Sequence, residues 1–285
     1  MIDVRTIALT CIALMAFAAN SLLCRLALGQ ELIDAASFTS VRAISGALTL
    51  ALIVQLRGSR GNPNSGNWKQ ASLLFGYMIF FSLAYETLST GTGALILFGA
   101  VQLTMFAAAL REGEQFTLLS WAGLLLAAAG LFYLVSPGIT APDPMGALFM
   151  CISGVTWGFF SLFGRNTVDP LGASARNFLY TVPMALTASA MLAADFSITW
   201  TGTIVAIGSG AIASGCGYVV WFAALPNLTA ARAATVQLAV PAIAAFGGIL
   251  FLSEPVTFRL IVASAVTLGG VALVLSQRRD RTSSK

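Results

Sequence analysis

Residues 239–276 of the chain read AVPAIAAFGGILFLSEPVTFRLIVASAVTLGGVALVLS, and this stretch repeats the pattern of residues 99–136 without a gap. Both stretches consist of an apolar helix, a short polar turn with one glutamate, and a second apolar helix with a late glycine. The two glutamates are Glu114 and Glu254. An internal repeat in an apolar chain is typical of secondary transporters, whose substrate site lies between the repeats.

The composition indicates a protein embedded in a lipid bilayer. Of the 285 residues, 58% are hydrophobic and 9% are charged, whereas about 25% of the residues of a soluble domain are charged. Apolar stretches recur along the whole chain, which predicts a multi-pass protein. The first of them, residues 7–23, has no cleavage site of small residues and is expected to stay as a helix. Basic residues lie in the connections, so they indicate topology and not nucleic-acid binding.

We predict ten transmembrane helices, because a helix needs about 20 residues to cross a bilayer. The predicted spans are residues 7–27, 37–56, 69–88, 92–110, 116–136, 145–164, 173–193, 201–224, 230–251 and 257–276. Basic residues cluster in every second connection, which places both termini in the cytoplasm. Each repeat contains an odd number of spans, so the two repeats enter the membrane from opposite sides.

The predicted fold class is therefore an all-α polytopic membrane protein, with ten transmembrane helices as a 5+5 inverted repeat. Inverted repeats give two nearly equivalent conformations, each open to one side of the membrane, as alternating access requires. The predicted organisation is a first repeat at residues 1–136, a junction at 137–144, a second repeat at 145–276 and a basic cytoplasmic tail at 277–285.

The stretch 240–276 resembles the closing unit of the EamA-type domain of the drug/metabolite transporter superfamily. That unit has a mid-helix proline, a turn with a glutamate and a glycine-bearing last helix, which correspond to Pro241, Glu254 and Gly270. In the first half, Val101 stands at the position of Pro241. The resemblance covers the whole chain, and within the superfamily the chain is similar to bacterial exporters of aromatic and other neutral amino acids. It implies an amino acid exporter of the bacterial inner (plasma) membrane, with EamA units in both halves.

Polar and aromatic side chains inside the spans are the candidates for a substrate site, because intramembrane polar groups are costly. We expect helices 1, 3, 4, 6, 8 and 9 to line this site near the midplane. Met78, Ser82 and Tyr85 share one face of the third helix, although an ordinary interhelical seam would produce the same pattern. The predicted substrate-binding residues are Met78, Ser82, Tyr85, Gln102, Trp157 and Gln237.

Pro241 predicts a kink in the ninth helix. A proline removes the hydrogen bond to the carbonyl four positions back, which is that of Gln237. A substrate ammonium group would fit at such a break, and a simple kink satisfied by a hydroxyl or water would explain it equally. Glu86 is the only acid inside a predicted span. We expect it to pair with Arg25 or Arg42, with substrate binding or proton coupling as alternatives.

The residue types that the chain lacks exclude several functions. There is no histidine, which removes histidine-based metal sites and Ser–His or Cys–His catalysis. No nucleotide-binding phosphate loop is present, and the cysteines lack the spacing of metal ligands. We therefore predict no catalytic residues, metal or cofactor, and no enzymatic activity. The alternatives to an amino acid exporter are an exporter of other small metabolites or drugs, and a channel-like facilitator. Monomer and homodimer both stay open, as do proton coupling and facilitated diffusion.

Overall fold

The computed structural model describes residues 3–57, 66–113, 116–164, 167–228, 233 and 236–282. These ranges contain ten main helices and no β-sheet. Eight of the predicted positions are filled by single uninterrupted helices, the eighth helix has three consecutive segments, and the ninth is short. The helices are α1 (Val4–Gly29), α2 (Ala35–Leu56), α3 (Trp68–Tyr85), α4 (Thr90–Arg111), α5 (Leu118–Val135), α6 (Pro144–Gly164), α7 (Pro170–Met191), α8 (Trp200–Ile207, Gly208–Cys216 and Gly217–Ala224), α9 (Ala239–Leu252) and α10 (Phe258–Thr282).

Each predicted span coincides with one of these helices. Seven of the helices, α1, α2, α4, α5, α6, α8 and α10, are long and apolar enough to cross a membrane. Helix α9 is apolar but has 14 residues, while α3 and α7 contain polar residues such as Lys69 and Asn177. Glu114, the beginning of the ninth predicted span and the last three residues of the predicted tail lie outside the described residues. Helix α10 extends six residues past its predicted end at residue 276, because the Gln and Arg residues there favour helix.

Short polar side chains begin several of the helices. The backbone N–H of Ser37 donates to the carboxylate of Asp34 at 2.8 Å, and that of Gln70 donates to the side chain of Asn67 at 2.9 Å. These caps satisfy donors that the first helical turn leaves unpaired. In lipid, an unpaired donor costs several kcal/mol, so the caps allow short connections between consecutive helices.

Glycines bring α5 and α10 into close contact within the same chain. A Cβ added to Gly123 would lie 2.6 Å from the carbonyl oxygen of Gly270, and one added to Gly270 would lie 2.5 Å from the nitrogen of Ala127. Gly130 contacts Thr267 in the same way. The late glycine of each repeat therefore serves the packing of α5 on α10, as small residues do at helix contacts in membranes.

The most extensive of the other helix contacts come in related pairs. Helix α3 packs on α6 as α8 packs on α1, and α4 packs on α6 as α9 packs on α1. Helices α2 and α7 contact each other, as do α4 and α9. Each helix of the first half has a counterpart five places later, so that α1 corresponds to α6 and α3 to α8. When every helix is replaced by its counterpart, the α3–α6 contact becomes α8–α1 and the α4–α6 contact becomes α9–α1. The α2–α7 and α4–α9 contacts stay the same. A repeat of two five-helix units fits this arrangement.

The middle of α8 departs from α-helical geometry. Residues Gly208–Cys216 form a π-helix, a widened turn that is frequent at functional sites. Gly210 of this segment lies directly against the Ser45 side chain and the backbone of Arg42 in α2, without room for a Cβ. The close approach brings the side chains of α2 and α8 together in the middle of the bundle.

Candidate functional site: the central cavity

A cavity lies in the middle of the helix bundle. The space between its lining atoms is about 440 Å³, part of it open to solvent. Its wall is formed by α1, α2, α3, α4, α6, α8 and the segment before α9. Helix α2 is the one wall element that was not predicted to line the site. The lining residues are Phe17, Asn20, Ser21, Arg42, Tyr77, Phe81, Leu97, Phe98, Trp157, Ser214, Tyr218 and Gln237.

Aromatic rings form a large part of the cavity wall. The ring centroids of Tyr77 and Trp157 are 4.7 Å apart with an interplanar angle of 46°, and those of Trp157 and Tyr218 are 5.7 Å apart. Phe17 meets Tyr218 edge-on at 6.3 Å. Tilted and edge-to-face contacts are the favoured arrangements of aromatic pairs, so the rings hold one another in place. The result is a firm apolar surface suited to a planar or apolar group.

Arg42 places a positive charge beside these rings. Its side chain is 1% exposed, and a guanidinium stays protonated in proteins. Its Nε donates to the Ser214 hydroxyl at 3.3 Å, and its Nη2 donates to the Tyr77 hydroxyl at 3.1 Å. The guanidinium carbon lies 5.2 Å from the ring centroids of both Tyr77 and Phe81, within the range of cation–π attraction. Two hydroxyls and two ring faces therefore fix the guanidinium.

A chain of hydrogen bonds connects this group to neighbouring helices. The Ser209 hydroxyl donates to the side-chain oxygen of Asn20 at 2.7 Å, and the amide nitrogen of Asn20 donates to the Tyr77 hydroxyl at 3.3 Å. The Ser153 hydroxyl donates to the backbone carbonyl of Tyr77 at 2.9 Å. Tyr77 thus receives bonds from α1, α2 and α6. Buried networks of this kind restrict the geometry of the groups they contain.

Two buried side-chain atoms of the described residues have no hydrogen-bond partner, Nη1 of Arg42 and the hydroxyl of Tyr218. Both residues line the central cavity. The large majority of buried side-chain polar atoms in proteins are hydrogen-bonded, so each exception needs an explanation.

The structure brings Trp157, Gln237 and Arg42 together at this cavity. The side-chain nitrogen of Gln237 donates to the backbone carbonyl of Ala233 at 3.3 Å. The helix is interrupted at Leu238, and Pro241 lies in the first turn of α9. A proline is tolerated in a first turn, because the donor it lacks is unpaired there in any case.

None of the three predicted residues of α3, Met78, Ser82 and Tyr85, lines the cavity. All three side chains are fully buried. The hydroxyl of Ser82 donates to the Met78 carbonyl at 3.0 Å and accepts from the hydroxyl of Thr39 in α2 at 2.9 Å. The hydroxyl of Tyr85 donates to the carbonyl of Thr90 in α4 at 3.3 Å. These contacts are those of an interhelical seam. The neighbouring face of α3 carries Tyr77 and Phe81, which the sequence analysis did not select.

Gln102 lies at a second, mostly apolar cavity of about 370 Å³ between α4, α5 and α10. Its neighbours there include Phe106, Leu124 and Val271. Helix α4 passes both cavities, and Leu97 and Phe98 contact the central one while Gln102, about one turn further along, contacts the other. Among the described residues, Gln102 therefore lines the second cavity and not the central one.

Glu86 is exposed and follows α3 as its C-cap, so it does not lie within the helix as predicted. Arg25 donates to the backbone carbonyls of Tyr85 at 3.0 Å and Glu86 at 2.8 Å, and its Nε lies 3.5 Å from the carboxylate of Glu254. The described ion pair of Arg25 is thus formed with Glu254, from the turn after α9. Arg42 bonds to Ser214 and Tyr77, as described above.

The fold and the cavity define a class of protein: a helical membrane protein whose repeats enclose a chamber lined by aromatic and polar side chains. The sequence model of the EamA-like transporter family matches residues 4–136 and again residues 144–276. The chain therefore belongs to the EamA-like transporter family, whose members are transporters and not enzymes.

Relatives extend over nearly the whole chain. An uncharacterized protein of Pseudomonas aeruginosa is 48% identical over 279 residues, which are 98% of this chain and 97% of that protein. An uncharacterized transporter of Bacillus subtilis is 23% identical and aligns with 82% of this chain and 85% of its own length. A solved crystal structure with 19% identity covers 94% of this chain and 97% of its own chain, with a TM-score of 0.64, which shows the same fold.

Proposed function

We propose that this transporter exports neutral and aromatic amino acids across the bacterial inner membrane through the central cavity. The observation that carries the proposal is the composition of the cavity wall, which combines aromatic rings with polar groups and a positive charge. An amino acid has the complementary composition, an apolar side chain at one end and charged groups at the other.

The proposed arrangement of the substrate follows from the wall. The side chain packs against Trp157 and Tyr77, and the polar end meets Arg42, Asn20 and Gln237. Removing a zwitterion from water is costly, so the polar groups of the cavity have to replace its hydration. Trp157 and Gln237 were also predicted to bind substrate from the sequence. The other proposed contacts come from Tyr77, Arg42 and Asn20, which line the cavity.

The proposed mechanism is alternating access. The related pairs of helix contacts support two five-helix repeats, and an inverted orientation with both termini in the cytoplasm gives two equivalent conformations. Movement of one half against the other then exposes the cavity to each side in turn. The ion pair of Arg25 with Glu254 joins α1 to the turn between α9 and α10 at one end of the bundle, where such a movement would separate them.

A transport assay tests the proposal. Purified protein in liposomes is loaded with unlabelled phenylalanine, and the uptake of labelled phenylalanine, labelled threonine and a quaternary ammonium dye is measured with and without a pH gradient. We expect both amino acids to be taken up with saturation. Uptake of the dye alone would replace the amino acid proposal with a drug exporter, and uptake that rises linearly with concentration would indicate a channel-like facilitator.

A matched pair of glutamines tests the location of the site. Gln237 lines the central cavity and Gln102 the second cavity. We expect Gln237→Ala to raise the KM for amino acids and Gln102→Ala to leave it unchanged. Equal effects of the two substitutions would contradict the central cavity as the substrate site. The comparison with and without a pH gradient separates proton coupling from facilitated diffusion.

A further inference from the structure

We infer that Arg42 and Tyr218 form a carboxylate-binding subsite in the wall of the central cavity, so that the transported molecule must carry a carboxylate. The inference rests on the proposed function and adds to it the chemical group that the protein recognises. Its basis is that Nη1 of Arg42 and the hydroxyl of Tyr218 are both donors, both line the same cavity, and both are without a hydrogen-bond partner among the described residues.

The burial of these two side chains makes the observation specific. Arg42 is 1% exposed and Tyr218 is 6% exposed, so bulk water does not replace the missing partners as it does at a protein surface. A guanidinium has five N–H donors, and the described bonds of Arg42 go to Ser214 and Tyr77 through Nε and Nη2. The donors on Nη1 are left for a group that enters the cavity.

The charge of Arg42 points to an anion and not to a neutral acceptor. The partners of its guanidinium in the described part of the chain are two hydroxyls and the ring faces of Tyr77 and Phe81. A buried charge is expensive without a counter-charge, and an incoming carboxylate supplies one. Hydrogen bonds between a guanidinium and a carboxylate are also about twice as strong as those between neutral groups.

The local geometry explains why the two donors belong to one subsite. Ser214, which anchors Nε of Arg42, and Tyr218 both belong to α8 and both line the central cavity. The ring of Tyr218 also contacts Trp157 at a centroid distance of 5.7 Å. A carboxylate bound between Arg42 and Tyr218 thus has the aromatic wall beside it, where the side chain of an amino acid would lie.

The experiment uses compounds that share a phenyl ring and differ in their charged groups. Competition against labelled phenylalanine is measured in liposomes with 3-phenylpropionate, which has only the carboxylate, and with phenethylamine, which has only the ammonium. In the unmodified protein we expect 3-phenylpropionate to compete and phenethylamine to fail. Competition by phenethylamine that equals or exceeds that of 3-phenylpropionate would overturn the subsite.

Substitutions then locate the subsite. We expect Tyr218→Phe, which keeps the ring, to weaken competition by 3-phenylpropionate about tenfold or more, since a hydrogen bond to a charged group contributes about 1.5–3 kcal/mol. Arg42→Gln should abolish that competition and Arg42→Lys should keep part of it. Tyr180→Phe is the matched control, because Tyr180 stacks on Trp68 at the periphery and should leave competition unchanged. A Tyr218→Phe protein that resembles this control would contradict the assignment.

Ligand-induced stabilisation separates this inference from the proposed function. The thermal unfolding of the purified protein in detergent is followed with 3-phenylpropionate, phenethylamine and chloride at equal concentrations. Stabilisation by 3-phenylpropionate alone, lost in Tyr218→Phe, would support the subsite even if no amino acid were transported, and only the cargo would then be wrong. Transport of phenylalanine together with equal stabilisation by chloride or phenethylamine would contradict the carboxylate subsite and leave the proposed function intact.

Discussion

The carboxylate of Glu254 accepts the backbone N–H of Thr90 with both of its oxygens, at 3.0 and 2.9 Å, and the Thr90 hydroxyl donates to it at 3.2 Å. Glu254 comes from the turn between α9 and α10, and Thr90 is the first residue of α4. The glutamate of the second repeat therefore caps a helix of the first repeat. Arg25 of α1 lies against the same carboxylate, so three parts of the chain meet at this residue.

The cap predicts a loss of stability when Glu254 is changed. We expect Glu254→Gln to lower the free energy of unfolding by about 1–2 kcal/mol, because it removes the counter-charge of Arg25 and one acceptor of the N-terminal cap. Thermal unfolding in detergent measures the effect. Glu31→Gln is the control, because Glu31 is exposed and the same change should have little effect there. Equal unfolding temperatures for the two variants would show that the cap contributes nothing.

Two adjacent glycines of α10 provide a sharper test of helix packing. A Cβ on Gly270 would lie 2.5 Å from backbone atoms of α5, whereas a Cβ on Gly269 would meet nothing within 4 Å. We expect Gly270→Ala to destabilise the protein by about 1–3 kcal/mol. Gly269→Ala should be neutral or stabilising by up to about 1 kcal/mol, because alanine favours helix. Thermal unfolding of both variants decides the point, and the reverse order of stability would refute the described α5–α10 contact.

The aromatic wall predicts a change in substrate preference. We expect Trp157→Ala to raise the KM for phenylalanine roughly three- to tenfold, because an aromatic contact contributes about 0.5–1.5 kcal/mol, and to affect threonine less. Trp121→Ala is the control, since Trp121 is 41% exposed on α5 and does not line the central cavity. Concentration-dependent uptake in liposomes measures both constants. An equal change for phenylalanine and threonine would show that the ring of Trp157 does not select the substrate side chain.

The proposed inverted repeat predicts opposite locations for the end of the first repeat and the C-terminus of the chain. Five spans carry the chain across the membrane once in total, so a reporter joined after Pro137 should lie outside the cytoplasm and one joined after Lys285 inside it. Alkaline phosphatase is active outside and a fluorescent protein inside, and both fusions are made at both positions. Activity of the same reporter at both positions would contradict the inverted arrangement.

Helix α3 shows where the pattern of a sequence stops being informative. Met78, Ser82 and Tyr85 form one stripe, and Tyr77 and Phe81 form the neighbouring one. Each stripe contains aromatic and hydroxyl groups, and a period of 3.6 residues tells only which residues share a face. The first stripe was predicted to bind substrate, but in the structure it contacts α2 and α4. The second stripe lines the cavity, because the rotation of α3 depends on helices that are distant in sequence.

Arg42 shows the same limit for a charge. From the sequence, Arg42 was a predicted partner of Glu86. In the structure, Gly210 allows α8 to approach the backbone of Arg42, and Ser214 then bonds to its guanidinium. The small residues of α8 were visible in the sequence. Their effect on Arg42 was not, because it depends on the contact between two helices from different halves.

The sequence alone determined the helical membrane class, the positions of ten helices and the presence of two related units, because these follow from composition, apolar length and internal similarity. Only the tertiary structure decided which side chains share the central cavity and which of their polar atoms lack a partner. That outcome depends on the rotation and spacing of packed helices, which are set by many contacts at once and leave no local signal in the chain.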